Sequence, residues 1–231
     1  MNEHINKLPP KVILWGGTGQ AKESRPIIEY YGAKVIAVFD DTPYLKSPFS
    51  GVPIYHGWEQ FMTWITSQNR AEIGFCIAIG NPHGRTRLRL QEELIKVGLL
   101  PVSIAHASAV IAGDAIIGVG CQIMAGAVID SDVRIGQQCI VNINSVVGHD
   151  NIMEDGSEVG PGVTVCGSVH IGVNAWVGAG STVYPKLKIG ADAIVGIGSV
   201  VIRNVEKGTT VLGNPAKVLW KREMHDSQEV K

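Results

Sequence analysis

Residues 111–206, written in sixes, read IAGDAI IGVGCQ IMAGAV IDSDVR IGQQCI VNINSV VGHDNI MEDGSE VGPGVT VCGSVH IGVNAW VGAGST VYPKLK IGADAI VGIGSV VIRNVE. All sixteen hexads begin with Ile, Val or Met, and no insertion breaks the phase. The fifth position is held to small or branched residues such as Ala115, Cys121, Ala127, Ser145, Val163 and Ala175, and Gly takes the second position in eight hexads. A period of six fits neither the 3.6-residue stripe of a helix nor an unbroken two-residue alternation. It fits short strands joined by tight turns, with glycine expected where the backbone needs a positive φ. The stretch is therefore predicted to be a stacked β-solenoid.

The rest of the composition narrows the function. At 231 residues and 45% hydrophobic content, the chain can bury a core in one large or two modest domains. Twenty basic residues against twenty-one acidic ones give a net charge of −1, which offers no electrostatic footprint for nucleic acid. The four cysteines, Cys76, Cys121, Cys139 and Cys166, fall at apolar or repeat positions without the close pairing of a zinc site. Cys121 and Cys139 are eighteen residues apart and would stack as reduced thiols in a coil of three hexads. The start MNEHINKLPP has no apolar run, and no later stretch has the roughly eighteen apolar residues of a membrane span, so a cytoplasmic protein is expected.

Upstream of the repeat the pattern changes to β, turn, α, β. KVILWGG (11–17) is an apolar run ending in glycine, a helix-compatible segment continues to about Tyr31, and KVIAVFDD (34–41) is a second apolar run. The turn Gly16-Gly17-Thr18-Gly19 reads equally as an anion-binding backbone at a helix N-terminus or as a tight turn, because the sixth position from Gly17 is Lys22 and the dinucleotide fingerprint is incomplete. Asp40 and Asp41 fall where an acid meets a ribose or base in open α/β sheets, or where a strand simply ends. A helix is expected near Trp58–Ser67, a strand over Ile73–Ile79 ending at Gly80-Asn81, and a helix over Arg85–Val97, whose Arg85, Arg87 and Arg89 are read as a solvated face. Residues 1–103 thus form a predicted Rossmann-like α/β domain and 104–206 the solenoid. Residues 207–231 form a carboxy-terminal tail: a turn-rich segment to Lys217, then a charged end expected to be helical or frayed.

Within the solenoid most non-core positions hold Gly, Ala or Asp, so a group titrating near neutrality stands out. His149 is followed at once by Asp150, a carboxylate able to hold an imidazole in one tautomer. Eighteen residues on is Gly167, which would leave room beside the ring. The plainer reading of a lone solenoid histidine is a surface residue.

The glycine-turn domain with its FDD and IGN strand ends, the unbroken hexads, the His149-Asp150 pair and the closing GNPAK (213–217) together resemble the bacterial nucleotide-sugar acetyltransferases, a family with the sialic acid O-acetyltransferase-like enzymes. The resemblance implies a left-handed parallel β-helix of three hexads per coil and a homotrimer binding acetyl-CoA between neighbouring subunits. It implies His149 as general base oriented by Asp150, and Gly167, Ala179 and Lys217 along the acetyl-CoA groove, with backbone amides near Gly167 meeting the oxyanion. It implies a nucleotide-sugar site at Gly17, Gly19, Gln20, Asp40, Asp41 and Asn81. Gln20 and Glu158 depart from the family pattern, since relatives often carry histidine at both places. The expected reaction is N-acetylation of a nucleotide-linked amino sugar, with no metal. O-acetylation of a sialic-acid-like sugar and a non-catalytic binding solenoid are the competing readings. A hexapeptide carbonic anhydrase is disfavoured, because His149 and His170 are out of phase and provide no three-histidine zinc site.

Overall fold

The structure is a computed structural model that describes residues 2–221; the charged end from residue 222 onward lies outside the described residues. Its first part alternates β1 (Lys11–Trp15), α1 (Gly19–Tyr30), β2 (Lys34–Asp40), β3 (Ile54–His56), α2 (Gly57–Ile65), β4 (Ile73–Ile77), α3 (Gly84–Lys96) and β5 (Leu100–Pro101). The five strands are all parallel, in the order β3-β2-β1-β4-β5. Val12 to Trp15 of β1 and the whole of β4 are buried, as strands covered on both faces must be. One face packs on α1 through Ala21, Ile27 and Ile28, and the same cluster runs on to Ile104 and Met124 of the solenoid. The other face packs on α2 and α3 through Phe61, Ile65, Leu90 and Leu94. Helix α1 is therefore held between the sheet and the solenoid. Strand β3, three residues long, is not among the strands expected from the sequence, because so short a strand shows no period.

From Ile104 the chain winds as a left-handed parallel β-helix. Two-residue strands, such as Gln122–Ile123, Val128–Ile129 and Arg134–Ile135, recur every six residues and stack eighteen residues apart in three sheets. The first sheet runs through Ile140–Val141 and Glu158–Val159, the second through Val146–Val147 and Thr164–Val165, the third through Ile152–Met153 and His170–Ile171. The first hexad position points inward: Ile117, Ile123, Val147 and Val165 are all buried. So does the fifth, with Ala115, Cys121, Ser145 and Ser157 at 0% exposure.

The glycines of the repeat divide between two roles, and only those at the fourth hexad position, Gly120, Gly126, Gly156, Gly162, Gly180 and Gly198, have the expected positive φ. Positive φ falls at the fourth hexad position in every hexad from Gly120 to Gly198, and there Asp132, Asn144, Asp150, Asn174 and Asp192 serve alongside Gly. Short polar side chains that bond their own backbone tolerate this conformation. The second-position glycines are needed for close stacking of coils: a Cβ on Gly118 would lie 2.6 Å from the Gly136 carbonyl, and one on Gly160 2.8 Å from the Ala179 nitrogen.

Both ends differ from the repeat. Asn2 and Asn6 bond Ala115 and Ala105 across the first coil, so the amino-terminal segment covers that end. Past Glu206, Thr209–Leu212 adds a parallel rung beside Ile194–Val195, and Lys217–Lys221 returns antiparallel to it. Val211 pairs with Val195, two residues short of the eighteen that separate rungs elsewhere, which is why the hexad register ends while the sheet continues.

Candidate active site

In an open α/β sheet the ligand crevice lies beyond the carboxyl ends of the strands, where neighbouring strands connect in opposite directions. Here that point is between β1 and β4, and Gly16 makes it possible: its φ is +108° and a Cβ would sit 2.3 Å from the Ala78 oxygen. A cleft of about 550 Å³ opens there, with Gly19, Gln20, Asp41 and Asn81 on one wall and Asn142 and Glu158 of the solenoid on the other. No side chain caps α1 and its first turn carries no acid, which leaves the helix N-terminus at Thr18-Gly19-Gln20 open to an anion.

The expected nucleotide-site residues divide by what they already bond. Asp40 is committed to the fold, its Oδ2 accepting the Gly17 N–H at 2.7 Å and its Oδ1 the Thr42 N–H at 2.8 Å. It holds the glycine turn, while Asp41, beside it, also lines the cleft. Gly17 does not itself line the cleft; a Cβ there would meet Leu45 at 3.0 Å and Ile54 at 3.2 Å. Gln20 donates to Gln122 at 2.9 Å, tying α1 to the solenoid.

The arginine reading needs correction. Arg89 is exposed and paired to Glu93, as a solvated face requires, and Arg85 makes a bidentate pair with Asp192 at 2.7 Å for both bonds. Arg87, in contrast, is fully buried. It donates to the carbonyls of Ile79, Gln138 and Gly156 at 3.0, 2.9 and 2.8 Å, so one guanidinium joins the end of the sheet to two turns of the solenoid. It also pairs with Glu158 at 3.4 Å. The signal was available in the sequence: Arg87 shares the helical stripe of Leu90 and Leu94, the buried face of α3. Glu158 is 2% exposed and accepts a second bond from Asn81 at 3.1 Å. Burial raises its carboxyl above the usual value, opposed by the charge of Arg87.

His149 stands at a different place, the corner between the second and third sheets. Its Nδ1 is 2.6 Å from Asp150 Oδ2, and both side chains are exposed. Asp150 occupies the fourth hexad position with φ 59°, so the turn that the fold requires also aims this carboxylate at the ring. The hydrogen bond to Asp150 raises the imidazole above its ordinary value, and the charge of Asp130 adds to it. With Nδ1–H bonded to the carboxylate, Nε2 is left as the basic nitrogen. The ring lies over Gly167, where a Cβ would be 2.4 Å from both Cε1 and Nε2. Among the described residues, the Gly167 N–H has no hydrogen-bond partner.

Within one chain the structure brings together His149, Asp150 and Gly167, but not Ala179 or Lys217. Ala179 lies at the next corner, between the first and second sheets, and Lys217 starts the returning carboxy-terminal strand. Asn142, on the cleft, shares the corner of Ala179 and lies seven residues before His149. At about 3.3 Å per residue the cleft edge and the imidazole are up to about 23 Å apart along the coil.

Residues 11–94 match the family described as the PglD N-terminal domain. The GDP-perosamine N-acetyltransferase of Escherichia coli O157:H7 is 36% identical over 102 residues, 44% of this chain; the match spans a little under half of that relative's length, 45%. Among solved structures, a His-to-Ala variant of the GDP-perosamine N-acetyltransferase of Caulobacter crescentus, in complex with CoA and GDP-perosamine, superposes with a TM-score of 0.82. It is 31% identical, over 91% of this chain and 97% of that one. The chain belongs to the bacterial nucleotide-sugar acetyltransferases. Another structure, the acetyltransferase domain of PglB from Neisseria gonorrhoeae FA1090 in complex with acetyl coenzyme A, is 26% identical with a TM-score of 0.79, covering 91% of this chain and 100% of that one. In this member of the family the solenoid wall of the cleft, Asn142 and Glu158, escaped sequence reasoning as a ligand surface. Asn142 is one of eight residues other than glycine at the second hexad position, so its identity does not single it out.

Proposed function

We propose that the chain transfers the acetyl group of acetyl-CoA to the amine of a nucleotide-linked amino sugar, with His149 as general base. The observation that carries this reading is the His149–Asp150 pair, with a free Nε2 lying over Gly167. The amine nitrogen attacks the thioester carbonyl carbon and gives its proton to Nε2. The carbonyl oxygen, negative in the tetrahedral intermediate, meets the unpartnered N–H of Gly167. The C–S bond then breaks, and the proton held on His149 passes to the departing sulfur. A thioester is already activated, so approximation, one base and an oxyanion site suffice and no metal is needed.

Residues 1–103 hold the nucleotide sugar in this reading: Gly19 and the open N-terminus of α1 take the diphosphate, Gly17 shapes the turn through its bond to Asp40, and Asp41 lies near base or ribose. Asp40 acts through the turn, and Gln20 and Asn81 frame the cleft. Residues 104–206 hold acetyl-CoA, with Gly167, Ala179 and Lys217 along its path. The separation of His149 from the cleft supports a homotrimer in which the base of one subunit serves the cleft of another. Val110, Val128, Val146, Thr164, Thr182 and Val200 face outward from the second sheet, between the two corners concerned, as a column of four valines and two threonines for that contact. The four cysteines are free thiols, and Cys121 and Cys139 stack without a disulfide, which fits the reducing cytoplasm. No helix of the described residues is long and apolar enough to cross a membrane.

The test is incubation with acetyl-CoA and a panel of GDP-, UDP- and dTDP-linked amino sugars, following thiol release and the product mass. His149→Ala should keep the fold and lose about a hundredfold to ten-thousandfold in transfer. Near-normal turnover by that variant would remove His149 from the mechanism, and acetylation confined to hydroxyl acceptors would replace the amine by oxygen.

A further inference from the structure

The two walls of the cleft differ in chemistry. The wall from the α/β part presents the backbone of the glycine turn, suited to phosphates. The solenoid wall presents Glu158, at an outward position whose neighbours in the same column are Ile140 and Trp176. Among the described residues lining the cleft, none is Lys or Arg, while Glu23, Asp41 and Glu158 contribute carboxylates besides Asp40, whose oxygens already hold the turn. With phosphates met by backbone amides, this excess of acid has no use for them. It suits a cation.

Glu158 is the carboxylate best placed to use that property. An ionised carboxylate offers about four acceptor sites, and Glu158 uses few of them. Asn81 donates to one oxygen at 3.1 Å. Arg87 approaches the other at 3.4 Å, longer than the roughly 2.7–2.9 Å of a charge-assisted bond, because its remaining donors are taken by the carbonyls of Ile79, Gln138 and Gly156. Arg87 thus supplies charge and fixed position without consuming the carboxylate. What remains is a desolvated acceptor at the edge of a ligand cleft, held by a residue that is itself immobilised at three points.

Resting on the function proposed above, we propose that Glu158 is the specificity-determining residue for the acceptor sugar: its carboxylate accepts a hydrogen bond from the protonated amino group, and Arg87 and Asn81 position it. A primary aliphatic amine is largely protonated at neutral pH, like that of lysine. A sugar with hydroxyl in place of the amine brings no charge and leaves the desolvated carboxylate poorly compensated. The bound ammonium gives up one proton to water before the neutral amine attacks, and the proton that His149 takes is the second, lost as the C–N bond forms.

Calorimetric titration tests this with GDP-perosamine, a UDP-linked amino sugar and the hydroxyl counterpart of each. The wild type should bind the amino ligand at least about tenfold more tightly than its hydroxyl counterpart. Glu158→Gln should weaken the amino ligand by about tenfold to a hundredfold, the range of a hydrogen bond to a charged group, and the hydroxyl counterpart by no more than about threefold. In turnover the change should lie mainly in KM. Retained hydroxyl-ligand binding is also the control that E158Q keeps its cleft. Equal weakening of both ligands would make Glu158 a structural residue and overturn the proposal, as would equal affinity of the wild type for both, a comparison that needs no variant. A wild type that binds and acetylates no nucleotide amino sugar refutes the function above and this inference with it, an outcome distinct from indifference between amine and hydroxyl.

Discussion

Gly167→Ala is the most discriminating substitution, because its consequence can be worked out atom by atom. The added Cβ would lie 2.4 Å from His149 Cε1 and Nε2 and 3.0 Å from Cδ2. Heavy atoms in good contact are about 3.5–4.0 Å apart, so the imidazole must retreat by about 1 Å or more. It can do so cheaply, since its side chain is 62% exposed and Gly167 has no positive φ that a methyl group would strain. Stability should therefore change little, within about 0.5 kcal/mol, as for a surface substitution. Catalysis should not be spared: a 1 Å misplacement of a reacting group can cost on the order of a hundredfold. The assay is thiol release at saturating acetyl-CoA and amino sugar, beside a thermal melt. The loss should appear in kcat, and it should largely vanish when Gly167→Ala is made in a His149→Ala background, where there is no ring to displace. An unchanged kcat in G167A, or an equal loss with and without His149, would show that the ring's place over Gly167 is not what positions the base.

Two further outcomes follow from the ion pairs. Because the bond to Asp150 raises the His149 pKa above 6.5, the neutral, proton-accepting form is populated only above that raised value, and kcat/KM should fall as pH drops through it. Asp150→Asn keeps a residue tolerant of positive φ but removes the charge, so the acidic limb should move to lower pH; a limb that stays put would exclude Asp150 as its cause. Arg87→Met leaves Glu158 buried without its counter-charge and should cost about 3–5 kcal/mol in urea unfolding, whereas Arg85→Ala, removing a half-exposed pair, should cost about 1 kcal/mol or less. Similar losses for the two would mean that Arg87 does not join the parts of the molecule as its bonds indicate.

The architecture was legible because hydrophobic burial repeats along the chain: residues at the first and fifth hexad positions all meet the same interior, so sixteen near-copies report one environment. The His149–Asp150 pair was legible for the opposite reason, as a titratable break in a bland background. The cleft was only half visible. Its glycine turn and strand-end acids are contiguous in sequence, but Asn142 and Glu158 reach it from a distant part of the chain, and spacing carries no trace of which solenoid face the first domain covers. Arg87 was misread because arginine on a helix is usually solvated; only its phase with Leu90 and Leu94 told otherwise. Glycine marks only part of the positive-φ positions: six of the fourteen from Gly120 to Gly198 hold it, and Asp, Asn, Gln, Ser and even Lys186 occupy the rest.

The tolerance of the fourth hexad position for Asp and Asn lets such a scaffold acquire chemistry. Each hexad turn exposes a third-position side chain followed by a residue already obliged to be small or polar by its backbone. A histidine at the third position and an aspartate at the fourth thus make a ready acid–base couple for the outlay of one substitution beyond what the turn already demands, and comparable addresses recur up the edges of the prism. The catalytic pair occupies one slot of an inventory that the winding itself maintains, so relocating it by one coil would leave every strand, turn and buried contact of the solenoid in place.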